Sequence, residues 1–241
     1  MGYKKIILLI SILSGIYWNV SKVSGAALEP VPEVNTSTSA LKSRSDQSSG
    51  VSTLVMVVER SPVVQRDSED FSFKPSLEAR QRYLRQFVER IRQQDPESAK
   101  SLERLIVEHD VIADLQKNLS TYGLVVNNLV DAYTVWWVSA WFAAQGKLLS
   151  LDYQTAQAVK KQATEALINS KAFDKTSDLM KQELAETLFM QAILLEAAVE
   201  QAKADPLALY QLSESVKADA KKAGLALETM SLTPQGFIPS H

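Results

Sequence analysis

Three adjacent residues in "VEHDVIAD" (107–114), Glu108, His109 and Asp110, are of the types that move protons. A histidine flanked by carboxylates can relay a proton when one carboxylate orients the ring. The commoner arrangement, and the one expected here, is a half-exposed histidine on a helix surface. Asp131 is the other acid of interest, because it lies in the least polar stretch of the chain. Buried, it would acquire a raised pKa and become a candidate acid or base. Its position three residues after Asn128 gives it a structural role instead, reaching back toward the start of a helix as in a capping box. If carboxylates do carry chemistry, Asp131, Glu108 and Asp110 are the members to expect. A cleft with two facing acids, one of them desolvated, would then suit hydrolysis or elimination on a cell-wall or extracellular polymer.

Other chemistries are thinner still. The chain has no cysteine and two histidines, which excludes thiol catalysis, cysteine-ligated metals and a histidine-rich metal site. Phosphate-cradling glycine loops, the nucleophile elbow, the paired-histidine zinc helix and the acidic calcium loop are all missing. Neither a cofactor nor a metal is expected, and the reading leans away from an enzyme.

The basic residues point elsewhere. Lys74, Arg80, Arg82, Arg85, Arg90 and Arg92 face only Glu78 and Glu89, a local excess of four positive charges on the helix expected over 76–94. Arg82, Arg85 and Arg92 are candidates for an interaction surface, meeting an acidic partner or anionic headgroups. A solvated face whose arginine stems cover apolar neighbours would look the same in sequence. The whole chain carries −2, and about −5 once residues 1–26 are set aside, so no global charge draws it to nucleic acid.

Several elements must position these residues. Lys4 and Lys5, the apolar run "IILLISILSGIYWNV" (6–20) and the small residues of "SKVSGAA" (21–27) have the three-part form of a secretory signal, placed at 1–26. Residues 27–70 are expected to be a tether: ten of the nineteen residues from Asn35 to Thr53 are Ser or Thr, too few apolar side chains to offset ordering entropy. Within it, "LVMVV" (54–58) reads as a short extended segment. Residues 71–241 form the helical domain. Apolar spacing predicts six helices, with Asp95, Asn128 and Asp205 as N-caps and prolines following the first and last of these. The second is expected to run unbroken from Pro96 through Leu115. The tail "LTPQGFIPSH" is read as a non-helical finish in which Phe237 packs back.

The third helix holds "AYTVWWVSAWFAAQG" (132–146), uncharged and apolar nearly all round. Such a helix either spans a membrane or forms the centre of a core. Its fifteen residues reach about 22 Å at 1.5 Å per residue, short of a hydrocarbon layer of about 30 Å. Tyr133, Trp136, Trp137, Trp141 and Phe142 are therefore expected in the core. The fold class is all-α, a single domain of about six helices packed as an irregular bundle around this helix.

Three segments, "FSFKPSLEARQRYLRQF" (71–87), "YGLVVNNLVDAYTVWWVSAW" (122–141) and "GLALETMSLTPQGF" (224–237), resemble an uncharacterised family of exported bacterial helical proteins. The resemblance implies a family domain over about Phe71–Phe237, and brings no activity, cofactor or site residue. The expectation carried forward is an exported, non-enzymatic protein, periplasmic or secreted, that binds another envelope or extracellular protein, with membrane-surface contact through 76–94 as a further reading.

Overall fold

A computed structural model describes residues 71–93, 95–170, 173 and 176–240. The expected signal peptide, the tether and the segment 54–58 lie outside the described residues. The chain enters beside the start of the tryptophan helix: the Phe73 amide donates to the Asn127 carbonyl at 3.0 Å, and Ser72 bridges to Asn128. Phe71 and Phe73 are buried on either side of that bridge.

Seven α-helices follow in the described residues: α1 (Leu77–Arg92), α2 (Pro96–Glu108), α3 (Val111–Leu119), α4 (Leu129–Ala144), α5 (Tyr153–Ser170), α6 (Asp178–Ala202) and α7 (Pro206–Lys222). Side-chain caps start most of them. Ser76, Asp95, Asn128, Ser177 and Asp205 each accept backbone N–H groups of the following turn. Asp152 does the same for Thr155 ahead of α5, at 2.9 Å. Each satisfies donors that a helix start leaves without intrahelical partners.

The predicted second helix is two. His109 has extended backbone (φ −135°, ψ 141°), and the Asp110 side chain takes the Ala113 amide at 3.0 Å to start α3. The apolar period keeps its phase across the break, which is why the spacing alone reads it as continuous.

α4 is buried at every residue except Trp141, and it packs most extensively on α6, then on α5 and α7. α6 is a second central element. From Ala185 to Ala192 every residue is buried, so two helices rather than one fill the middle of the domain. Tyr133, Trp136, Trp137 and Phe142 all belong to the single core cluster, and Trp141 packs against it.

The tail pairs with itself. β1 (Met230–Thr233) and β2 (Gly236–Pro239) form an antiparallel hairpin, with Leu232 opposite Phe237. Phe237 is buried and stacks on Trp137 with ring centroids 4.6 Å apart and planes at 22°. The Trp141 indole N–H donates to the Met230 carbonyl at 3.0 Å, tying the hairpin to α4. On its other side, the Gln162 amide of α5 accepts the Phe237 N–H at 2.8 Å and donates to the Phe237 carbonyl at 2.7 Å. Gly236 has φ +95°, and a Cβ there would lie 2.5 Å from the Gln162 carbonyl oxygen, so the turn needs glycine on two counts.

Candidate functional site

α1 and the first half of α6 meet along a polar seam. At the α6 end, Gln182 is buried and its amide locks the cap of α1: its oxygen accepts the Ser76 N–H at 2.9 Å, and its nitrogen donates to the Ser76 carbonyl at 2.9 Å. The same nitrogen donates to Glu186 Oε1 at 2.9 Å. Glu186 is fully buried, and Arg80 Nε donates to that Oε1 at 2.8 Å. Arg80 also lies 3.9 Å from Asp110. Helical period alone would set Glu186 on the wet side of α6 with Glu183, but α1 packs over it and leaves it fully buried.

Above Glu186 the seam opens into a cleft of about 140 Å³. It is lined by Arg82 and Tyr83 of α1 and by Leu179, Met180, Gln182, Glu183 and Glu186 of α6. Glu186 Oε2 is buried without a hydrogen bond among the described residues, and Thr187, beside the Tyr83 hydroxyl, donates its own proton to the Glu183 carbonyl at 2.6 Å. Burial pushes the Tyr83 phenol well above its ordinary pKa, with the carboxylates of Glu183 and Glu186 adding to the effect and Thr187 and Arg90 opposing it. Arg90 lies over the Tyr83 ring, its guanidinium carbon 5.9 Å from the centroid.

The three acids singled out from sequence occupy three different settings. Glu108 is exposed at the end of α2. Asp110 is the exposed N-cap of α3. Asp131 is buried inside α4, where one oxygen accepts the Val125 amide at 2.9 Å and the other lies 2.7 Å from Lys160 Nζ of α5. Its carboxyl is shifted upward by burial, which the Lys160 ammonium and the Val125 N–H offset in part. His109 is exposed between α2 and α3.

The three arginines differ in the same way. Arg92 is engaged by Glu89 and by Glu103, the latter at 2.8 Å. Arg82 and Arg85 are exposed and make no ion pair among the described residues, and Arg82 alone lines the cleft.

Glu196 is half-buried further along α6. It accepts the Leu149 amide at 3.1 Å, and desolvation raises its pKa. Among the described residues no group of three or more histidines, cysteines or acids could hold a metal ion. Nor is any helix among them long and apolar enough to cross a membrane.

The model of the family of unknown function DUF6683 matches residues 34–238, and the chain belongs to that family. The match begins well before Phe71, so the family's extent takes in the Ser/Thr-rich segment as well as the helices. No curated protein and no solved structure matches the chain.

Proposed function

We propose, from the three-part segment at 1–26 and from the surface of α1, that this is an exported, non-enzymatic helical protein. It acts by binding an acidic surface of another protein in the cell envelope or outside the cell. One observation carries the reading. Of Arg80, Arg82, Arg85 and Arg92 on α1, Arg80 and Arg92 are spent on acids of this chain, whereas Arg82 and Arg85, one turn apart, are exposed and make no ion pair among the described residues. Uncommitted guanidiniums on a rigid helix suit bidentate recognition of carboxylates, at little conformational cost to the binder. Export rests on the three-part signal over 1–26.

The test is a cross-linked capture from the host's envelope and medium, run with tagged wild type and with Arg82→Glu/Arg85→Glu. One stoichiometric protein held by the wild type, lost from the double variant and released by salt, is the expected result. Bait alone, or a partner indifferent to the charge reversal, overturns the reading. Salt-sensitive binding of the wild type to anionic vesicles, with no protein captured, would move the contact to the membrane surface.

A second reading has one specific observation behind it. A hydrolase or lyase acting on a cell-wall or extracellular polymer needs two carboxylates in a cleft, and Glu183 and Glu186 line one together. Arg80 and Gln182 both donate to one oxygen of Glu186, which fixes that carboxylate in place beside Glu183. Release of soluble fragments from purified wall polymer, abolished by Glu183→Gln, would decide for it.

A further inference from the structure

Leu179, on the first turn of α6, leaves 52% of its surface to solvent, and Met180 beside it is half-buried. Both line the cleft between α6 and α1, together with Ala79 and Arg82. Apolar side chains thus stand at an opening beside an exposed guanidinium that makes no ion pair among the described residues. A single exposed leucine is ordinary on a protein surface. One that lines a cleft next to an uncommitted arginine has the composition of an interface anchor site, where an inserted side chain and a charge pair meet.

Size and charge narrow the occupant. The cleft's volume of about 140 Å³ is close to the roughly 150 Å³ of a cavity that takes a benzene ring. Glu183 also lines it and makes no ion pair among the described residues. A second carboxylate is repelled from that interior, whereas the positive edge of an aromatic ring is not. We infer that the cleft receives a phenylalanine ring of the acidic partner, with a neighbouring carboxylate of that partner on Arg82. This rests on the partner surface proposed above and deepens it. The arginines draw acidic surfaces in general, and the ring selects which of them is held.

3-Phenylpropionate carries the ring and the carboxylate in one small molecule, and NMR titration of the full chain with it tests the cleft. Acetate and benzyl alcohol are the controls for either half. Saturating shifts of the Ala79, Leu179 and Met180 methyl groups are expected, with roughly tenfold tighter binding than either control. Arg82→Ala should weaken it by about tenfold. Ala79→Leu fills the cleft from the α1 side, leaves both arginines in place, and should abolish it. If Ala79→Leu does not fold, Leu179→Asp decides, since the position is exposed and an acid suits the first turn of a helix. Absence of saturation, shifts away from the cleft, or binding unchanged in the variants overturns the inference. In the cross-linked capture, Ala79→Leu should lose the partner as Arg82→Glu/Arg85→Glu does. A partner lost from the double variant but kept by Ala79→Leu overturns the ring and leaves the arginine surface standing. The titration needs no partner, so it decides the cleft even where the capture returns bait alone.

Discussion

Asp131 shares its burial with Lys160, and the pair sets how the protein answers to pH. Desolvation raises the Asp131 carboxyl above its ordinary value, so the folded state binds its proton more tightly than the unfolded chain does. The stabilisation from this group is therefore present below the ordinary carboxylate range and lost as pH rises through the raised folded value. Asp131→Asn keeps an acceptor for Val125 and has no proton to bind. Its urea midpoint should accordingly fall less steeply than that of wild type across this window. Lys160→Met leaves the carboxylate without its counter-charge and should cost about 3 kcal/mol near neutrality, the low end for a broken buried pair because Lys160 keeps some water. The loss should shrink in acid, where Asp131 takes up its proton. Equal losses at both pH values would show that the lysine stem, and not its charge, does the stabilising. The sequence marks Asp131 as an exceptional acid in an apolar helix. It gives no sign of Lys160, because their contact depends on how α4 and α5 cross. Glu186 is harder still. Its partner Arg80 lies over a hundred residues away, and helical period places the acid on the wrong side when both sides of α6 are covered.

Capping is the element-scale feature most legible in the chain. An aspartate followed by proline, or an asparagine before an apolar run, fixes a helix start through bonds within three residues, and Asp95, Asn128 and Asp205 all make those bonds. The break at His109–Asp110 was not legible, because a cap can sit inside a periodic run without disturbing the period. The hairpin was half legible. Phe237 could be expected to pack back, but the pairing of β1 with β2 depends on a surface that only the assembled helices provide. Two substitutions probe it. Phe237→Ala removes a ring stacked on Trp137 and should cost about 3–4 kcal/mol, within the usual range for a buried phenylalanine. Tryptophan emission should shift to the red as Trp137 and Trp141 gain water. Gly236→Ala sets a Cβ against the Gln162 amide in a left-handed conformation, and should lower the melting temperature while α-helical circular dichroism before the transition stays unchanged.

At the scale of the whole molecule, stability is graded from the centre outward. α4 and the middle of α6 are covered on all sides, whereas α2 buries only Ala99 and Leu102. Amide exchange should follow that order. Protons of α4 and of Ala185–Ala192 should exchange only through global unfolding, with free energies equal to the denaturant-derived stability. Those of α2 should exchange through local opening at lower free energy, a difference readable by mass spectrometry under native conditions. Exchange from α2 as slow as from α4 would mean that the helices separate only together.

The amide of Gln162 has a consequence beyond holding Phe237. A two-stranded hairpin at the end of a chain offers bare backbone rails on which a copy of itself could add, the route by which stored protein turns into cross-β aggregate. On β2 the rail position that would accept such an addition is already taken, donor and acceptor alike, by a side chain acting as a one-residue strand. On β1 the Met230 carbonyl is occupied by the indole of Trp141. Side chains of the helices thus already occupy the outward backbone of Phe237 on β2 and the Met230 carbonyl on β1, which leaves a copy of the strand fewer places to add.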